Sequence, residues 1–318
     1  MLFTGGTISM QYDAASGGNV PTHGGEALVA LAPELPAIAR VRVENWARMP
    51  ACHLTPADIW RLRERVRTLQ SDPAVDGVVI THGTDILEET AYLLDRTLAP
   101  RVPVVVTGAM RTSDHPEWDG TRNLTDAVRV ATDPAADGRG TLVVFAGHVW
   151  QGMEAVKRDT VALDAFAAPY GAALGRVGAD GVHWTRRAPQ GEPLTPTGLT
   201  ARVALVPMVV GDDGRVLDAQ RDSHDGVVVE AFGSGNLPPY AVPAIGRWLA
   251  DGKPVVLSSR CAEGLVTPVY GFDGGGARTV AMGVTPAGPR TPSQARWELT
   301  IALSAGVPYG AGLATVGA

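Results

Sequence analysis

Two short stretches of the sequence combine hydroxyl, carboxylate and glycine residues in a way that suits acyl transfer. They are Thr4-Gly5-Gly6-Thr7 and Thr81-His82-Gly83-Thr84-Asp85. Hydrolysis of an amide needs a nucleophile, a proton acceptor and hydrogen-bond donors that face the developing oxyanion. Thr7 and Thr84 are candidate nucleophiles. A lysine that is desolvated beside a threonine can lose its proton and act as a base, which makes Lys157 a candidate for that role.

Predicted strands end directly before both stretches. The apolar, β-branched run that ends at Ile80 indicates a buried strand of a parallel sheet, and residues 1–3 predict a short strand before the first stretch. A helix with acidic residues in its first turn is predicted from Asp85 to Leu98. Because parallel strands present their carboxyl ends at one sheet edge, we expect Thr7 and Thr84 side by side in a crevice there. The backbone N–H groups of the second stretch then open a helix and can face an anion.

Each candidate residue also has a structural interpretation. An isolated Thr-Gly-Gly-Thr is usually only a turn, so Thr4 and Thr7 indicate function because the second stretch accompanies them. His82 is a candidate general base, but a structural role is favoured if its side chain points away from the crevice. Lys157 is either the base or a solvated surface charge. Cys52 has no convincing histidine partner and is not predicted as a nucleophile.

Taken in this order, the two stretches resemble the two signature motifs of the bacterial-type L-asparaginase/glutaminase family. Gly108-Ala109-Met110-Arg111, after another predicted strand, and the downstream Lys157 extend the resemblance over almost the whole chain. The resemblance implies an amidohydrolase that converts L-asparagine to L-aspartate and ammonia by threonine nucleophilic catalysis. The sequence has no metal-binding cluster or dinucleotide fingerprint, so no cofactor is expected. The alternatives are a hydrolase of glutamine or another small amide, and a non-catalytic amino-acid-binding relative.

The same resemblance implies roles for individual residues. Thr7 is the primary nucleophile, while Thr84, Asp85 and Lys157 form a second, polarising triad. The carbonyl of Ala109 receives the amide nitrogen of the substrate, and Asp85 binds its α-ammonium group. The residues predicted to bind substrate are Gly6, Ala51, Gly83, Thr84, Asp85, Ala109, Ser234 and Asn236.

The sequence departs from the family pattern at three places. The family has a tyrosine further along the loop after the nucleophile, whereas the nearby Tyr12 comes too early. Ala51 stands where a serine hydroxyl normally reaches the substrate carboxylate, which leaves only backbone N–H groups. The family's C-terminal asparagine, which reaches the site of a neighbouring subunit, falls within Gly233-Ser234-Gly235-Asn236, where either Ser234 or Asn236 fits. The resemblance therefore implies a homo-oligomer, either a dimer or a tetramer.

Length and composition set further limits. The 318 residues suffice for two domains, and the 45% of hydrophobic and 19% of charged residues are typical of a soluble globular protein. A net charge of −6 argues against a nucleic-acid partner. No apolar run approaches the roughly 20 residues of a membrane helix, so no membrane partner is expected. We expect a cytoplasmic location because no signal peptide precedes the first motif, although so short a first strand suggests that upstream residues have been lost.

The expected fold is α/β, with a larger N-terminal parallel-sheet domain and a smaller C-terminal α/β domain. Alternating strands and helices predict an N-terminal catalytic domain at residues 1–184. A proline-containing stretch without apolar periodicity predicts a linker at 185–200, which leaves 201–318 for the second domain. The polar residues 9–22 predict a mobile loop beside the candidate site, in the position of a lid.

Some elements are predicted to the residue. Thr55 and Thr291 each begin a helix, because a carboxylate or amide side chain follows three residues later and completes a capping box. Alternation predicts a strand from Val41 to Trp46. The segment from Val149 to Tyr170 has no clear period and predicts a hairpin with loops.

Overall fold

The computed structural model describes residues 1–99 and 101–313, in two compact units. Unit 1 contains residues 1–193, and unit 2 contains residues 194–313. The predicted linker carries no helix or strand, and the division between the units falls inside it. The domain boundaries after residues 184 and 200 stay a prediction.

Within the described residues, unit 1 has an eight-stranded sheet and two separate two-stranded sheets. Its strands are β1 (Leu2–Gly5), β2 (Met10–Asp13), β3 (Gly18–Pro21), β4 (Glu44–Met49), β5 (Val78–Thr81), β6 (Val104–Thr107), β7 (Thr141–Phe145), β8 (His148–Gln151), β9 (Val156–Lys157), β10 (Phe166–Ala167), β11 (Gly175–Gly178) and β12 (Gly181–Trp184). Its helices are α1 (Gly25–Ala30), α2 (Leu35–Ile38), α3 (Pro56–Gln70), α4 (Leu87–Thr97) and α5 (Gly120–Ala131). The order in the large sheet is β12-β11-β8-β7-β6-β5-β1-β4, while β2 pairs with β3 and β9 with β10.

Five neighbouring strands of the large sheet run parallel: β4, β1, β5, β6 and β7. The strands β8, β11 and β12 continue the sheet in antiparallel fashion. All four residues of β5 are buried, as expected for a central strand with apolar layers on both faces. Val79 packs in one layer with Leu124 of α5, and Ile80 in the other with Leu94 of α4. The predicted N-terminal parallel sheet is confirmed, and the antiparallel edge extends it.

Unit 2 has a smaller sheet of four parallel strands, again with apolar clusters on both faces. Its strands are β13 (Val203–Pro207), β14 (Gly226–Ala231), β15 (Val255–Ser259) and β16 (Thr285–Pro286). Its helices are α6 (Arg215–Arg221), α7 (Val242–Ala250), α8 (Gly276–Ala281) and α9 (Pro292–Ser304). The expected smaller C-terminal α/β domain is confirmed.

Both predicted capping boxes are present. Thr55 caps α3 and Thr291 caps α9, and each hydroxyl accepts a hydrogen bond from the backbone N–H three residues later. The strand expected at Val41–Trp46 lies later, at Glu44–Met49, because its register is set by pairing with β1. The hairpin expected after Val149 is present as β9–β10.

The loop expected at residues 9–22 is instead largely the hairpin β2–β3, in which Tyr12 pairs with Asn19. Its turn is closed by Asp13, whose carboxylate accepts hydrogen bonds from the N–H groups of Ala15 and Ser16. Turn residues of this kind mark a loop in the sequence, but they also serve to connect two short strands. None of the helices in the described part of the chain combines the length and the apolar character needed to cross a bilayer.

Candidate functional site

The two threonine-containing stretches meet because β1 and β5 are neighbours in the sheet. Phe3 pairs with Thr81, so both stretches leave the same edge at the same level. Gly6 has a φ of 83°, and a Cβ at that position would lie 2.4 Å from the Cα of Gly83. Only a glycine permits this backbone approach. Thr7 and Thr84 each follow one of the two touching glycines, as the parallel sheet predicts.

Ala51 joins this contact from the other side of β1. Ala51 begins a 3₁₀ turn just after β4, which pairs with β1. The N–H of Gly6 donates a 3.3 Å hydrogen bond to the carbonyl of Met49, the last residue of β4. Ala51 is buried, and a Cβ added to Gly83 would lie 2.6 Å from the Cβ of Ala51. The predicted substrate-binding residues Gly6, Ala51 and Gly83 therefore form one compact corner of unit 1.

Lys157 reaches the second stretch with its side-chain amine. The Nζ atom donates a 2.9 Å hydrogen bond to Thr84 Oγ1 and a second one, also 2.9 Å, to Asp85 Oδ1. Thr84 is 4% exposed and the lysine side chain is 15% exposed, whereas the carboxylate side chain of Asp85 is 68% exposed. Lys157 is thus not a solvated surface charge, and the structure brings the three predicted triad residues together.

The short hairpin β9–β10 carries Lys157. Lys157 pairs with Phe166, and Phe166 packs against Phe145 of β7 with ring centroids 4.8 Å apart. The backbone N–H of Lys157 points to α4, where it donates a hydrogen bond to the carboxylate of Glu88. Burial raises the pKa of Glu88 to about 7, and the negative charge of Glu89 acts in the same direction.

Glu88 was not among the residues predicted from the sequence. Acidic residues in the first turn of a helix are normally interpreted as partners of the helix dipole, and nothing in the spacing relates Glu88 to Lys157. The one feature of the sequence that could have indicated a role for Glu88 is that two carboxylates, Glu88 and Glu89, follow the second threonine-containing stretch closely.

His82 is fully buried between β5 and α4 and cannot reach a substrate in the crevice. Its Nδ1 lies 2.8 Å from the carbonyl oxygen of Gly83, and its Nε2 lies 3.0 Å from the hydroxyl of Thr90. Burial lowers the pKa of His82 to about 4, so the ring is neutral at neutral pH. The geometry fits the structural interpretation, in which His82 fixes the peptide that precedes Thr84.

Thr7 lies in a single 3₁₀ turn, residues 7–9, and is half-buried. The turn is held by Ser9, whose N–H and hydroxyl both donate to the carbonyl of Gly6 at 3.0 and 2.9 Å. The Thr7 hydroxyl has no hydrogen-bond partner within residues 1–99 and 101–313. The side chain of Tyr12 is 61% exposed, and its backbone N–H donates to Asp114.

Ala109 follows β6 in a tightly held loop and is fully buried. The amide of Asn123 donates to the carbonyl of Gly108, and the carboxylate of Asp119 accepts hydrogen bonds from the N–H groups of Met110 and Arg111. The carbonyl of Ala109 itself accepts no hydrogen bond from any part of the chain that the structure describes. It is therefore a free acceptor beside the strand end that carries Thr84.

Ser234 and Asn236 lie in unit 2, in the turn that follows β14. The backbones of Asn236 and Phe232 exchange two hydrogen bonds of 2.9 Å, which close the turn. The side-chain oxygen of Asn236 is buried and accepts no hydrogen bond from the described residues. That leaves Asn236 with a free acceptor.

The prediction that the second threonine-containing stretch opens a helix is wrong. The second stretch does not open a helix directly, because Ile86 is the N-cap of α4 and the helix begins at Leu87, three residues after Thr84. Its N–H groups are therefore loop donors and not helix N-terminal donors. Cys52 is exposed beside Ala51, and no group of His, Cys, Asp and Glu side chains among the described residues is arranged to hold a metal ion.

Two family models match this chain. The family described as asparaginase, N-terminal, matches residues 1–190, and the glutaminase/asparaginase C-terminal domain matches residues 202–309. The chain is 37% identical to a probable L-asparaginase of Deinococcus radiodurans, over 96% of this chain and 92% of that protein. It is 32% identical to L-asparaginase 2 of Bacillus subtilis, over 84% of this chain and 74% of that protein.

A solved structure has the same fold. It is described as a probable cytoplasmic L-asparaginase from Campylobacter jejuni, with a TM-score of 0.84 and 28% sequence identity, over 95% of this chain and 93% of that one. The two matching domains together span nearly all of the sequence, and both threonine-containing motifs lie in the N-terminal one. The chain belongs to the asparaginase/glutaminase family.

Proposed function

We propose that this protein is an L-asparaginase, which hydrolyses the side-chain amide of L-asparagine to give L-aspartate and ammonia. The observation that carries the proposal is the pair of hydrogen bonds from Lys157 Nζ to Thr84 and Asp85, at the strand end where Thr7 also emerges. The names of the relatives add support, since one compared above is named an L-asparaginase and two are named probable L-asparaginases.

Thr7 is the proposed nucleophile. Its hydroxyl oxygen attacks the amide carbonyl carbon, and its proton passes to the leaving nitrogen. The tetrahedral intermediate collapses as the C–N bond breaks. Ammonia is released, and an aspartyl ester remains on Thr7. A water molecule then attacks the ester, returns the hydroxyl to Thr7 and releases L-aspartate.

Thr84 has a different proposed role. Its oxygen accepts a hydrogen bond from the Lys157 amine, so its own proton is directed elsewhere and can be donated to the substrate. Asp85 is exposed enough to accept a hydrogen bond from the substrate α-ammonium group while it holds Lys157. Thr84, Asp85 and Lys157 thus polarise and orient the amide that Thr7 attacks, and Ala109 offers its free carbonyl to the amide nitrogen.

Glutamine is the second candidate substrate. It is favoured by Ala51, because a methyl side chain at this corner gives the substrate carboxylate no hydroxyl donor. One hydrogen bond to a charged group contributes about 1.5–3 kcal/mol, so its absence relaxes selection for the shorter substrate. We expect Ala51→Ser to lower the KM for asparagine roughly tenfold, with Cys52→Ser as a control that changes the exposed neighbour. A KM that stays the same or rises in Ala51→Ser would count against this account.

The remaining proposals concern assembly and location. We propose a homo-oligomer, a dimer or a tetramer of paired dimers, in which the turn that holds Ser234 and Asn236 contributes one of these two residues to the site of a neighbouring copy. A cytoplasmic location is proposed because the Campylobacter relative is described in that way.

Ammonia release by the purified protein tests the proposed function. Asparagine, glutamine and a panel of other small amides are supplied at equal concentration, and ammonia is followed continuously by a coupled assay. We expect release from asparagine at a higher kcat/KM than from any other amide. Tight binding of asparagine without ammonia release would favour the non-catalytic alternative, and a higher kcat/KM for glutamine would make the protein a glutaminase.

A further inference from the structure

We propose that Glu88 is a positioning residue for catalysis, which fixes the backbone of Lys157 so that the lysine amine reaches Thr84 and Asp85. The inference rests on the catalytic role proposed above for Lys157. It concerns a contact between α4 and β9 that the assignment of the catalytic residues does not include.

The strand that carries Lys157 is too short to fix its own position. β9 and β10 have two residues each, and isolated two-stranded pairs are only marginally stable. Lys157 pairs with Phe166 on one side, while its N–H is directed to the other side. A buried N–H without a partner is unfavourable, and a carboxylate is the strongest acceptor that a protein can offer it. The carboxylate of Glu88 takes that place.

The segment from Thr84 to Glu88 consequently holds Lys157 at both ends. Thr84 and Asp85 accept hydrogen bonds from its Nζ atom, and Glu88 accepts one from its backbone nitrogen. Four flexible side-chain bonds separate the two ends, so fixing both limits the conformations that Lys157 can adopt. Positioning of this kind matters for rate because a displacement of about 1 Å at a reacting group can reduce turnover roughly 10²-fold.

The charge of Glu88 determines how strongly it holds the strand. A charge-assisted hydrogen bond is about twice as strong as a neutral one. Burial, together with the neighbouring Glu89, raises the pKa of Glu88 to about 7, while Lys157 acts in the opposite direction through its N–H and its charge. The carboxylate is therefore ionised, and the strand most firmly held, above about pH 7.

Four variants test the proposal: Glu88→Ala, Glu88→Gln, Glu89→Gln and Lys157→Met. Glu88→Ala removes the acceptor, and we expect kcat at pH 8.5 to fall roughly 10–100-fold with KM changed by less than about threefold. Glu88→Gln keeps an acceptor oxygen without the charge, so kcat should return to within about fivefold of the wild type. Glu89→Gln makes the same change in charge in the same helical turn and should leave kcat nearly unchanged.

The pH profile separates positioning from general support of the fold. We expect the kcat of the wild type to decrease as pH falls through about 7, and Glu88→Gln to lack that step. If Glu88→Ala does not fold, the pH profile of Glu88→Gln decides alone. A decrease of kcat near pH 7 that persists in Glu88→Gln would overturn the proposal. Equal losses in the Glu88→Gln and Glu89→Gln variants would also overturn it. An active Lys157→Met would instead refute the role of Lys157, which distinguishes the two failures.

Discussion

Lys157 is the side chain on which most of the proposed chemistry depends. We expect Lys157→Met to reduce turnover about 10²–10⁴-fold, because a single positioned proton-transfer group typically contributes that much. The fold should survive, since methionine keeps the length and apolar contacts of the lysine stem in a largely buried place. Steady-state ammonia release and circular dichroism measure the two effects.

The sequence offers a matched control for this change. Lys253 is the only other lysine in the chain, and its amine donates to the carbonyl of Arg221 in unit 2. Lys253→Met should retain wild-type turnover. If folded Lys157→Met also kept near-wild-type turnover, the hydrogen bonds to Thr84 and Asp85 would have only a structural meaning.

Thr7 is expected to be the residue that becomes acylated. Thr7 is half-buried at a glycine turn and its hydroxyl has no partner among the described residues, whereas the Thr84 hydroxyl is buried and already accepts a hydrogen bond from Lys157. Mass spectrometry of enzyme trapped with a reactive asparagine analogue should find the adduct on Thr7. Thr7→Ala should abolish hydrolysis and still bind aspartate. An adduct on Thr84 with none on Thr7 would reverse the two assignments.

At the scale of elements, His82 links the end of β5 to α4. It reaches the carbonyl of Gly83 with one ring nitrogen and Thr90 of α4 with the other. Burial lowers its pKa to about 4, from an unfolded value of 6.5. Between these pH values the unfolded chain binds a proton that the folded chain does not. His82 therefore stabilises the fold above pH 6.5, and this contribution is lost as pH falls to about 4.

We expect that loss to amount to about 3 kcal/mol between pH 6.5 and 4, and His82→Gln to remove most of it. Denaturant unfolding of both proteins at several pH values gives the difference. His53→Gln, which changes an exposed histidine, should follow the wild type. Glu88 titrates in the opposite sense, with stability lost as pH rises towards 7, so only the comparison of variants isolates His82. Parallel pH curves for wild type and His82→Gln would contradict the prediction.

The elements that local chemistry determines were predictable from the sequence. Thr55 and Thr291 supply hydroxyl caps, and their partners three residues later complete the capping boxes of α3 and α9. The strand ending at Thr81 is apolar on both faces, which is how buried parallel strands differ from other elements. These signals lie within a few residues, so no tertiary information was needed to interpret them.

The bounds of elements that depend on distant partners were not predictable. A hairpin was predicted between Val149 and Tyr170, but β9 and β10 have two residues each, too few for any period to show where the strands lie. The antiparallel strands β11 and β12 contain three glycine residues and exist because β11 pairs with β8 and with β12. The role of Glu88 depends on the same hairpin, and so only the structure reveals it.

At the scale of the whole molecule, the proposed assembly requires a surface near Asn236 that a second copy can cover. Four large side chains in one segment of unit 2 form an exposed apolar patch, with exposed fractions between 45% and 65%: Leu265, Val269, Tyr270 and Phe272. The segment adjoins the turn of Asn236, since the N–H of Leu237 donates to the carbonyl of Gly274 at 2.8 Å. Exposed apolar patches of this kind mark interaction sites.

We therefore expect Val269→Asp to dissociate the oligomer and to reduce asparaginase activity with it, because a carboxylate desolvated in an apolar interface is strongly unfavourable. Multi-angle light scattering gives the mass, and ammonia release at the same protein concentrations gives the activity. Val210→Asp is the control, since Val210 is 92% exposed in the same unit but outside the patch. Loss of mass and activity in Val269→Asp alone would support a neighbour that completes the site. A wild-type protein that is a fully active monomer would exclude both the interface and the proposed role of the turn with Ser234 and Asn236.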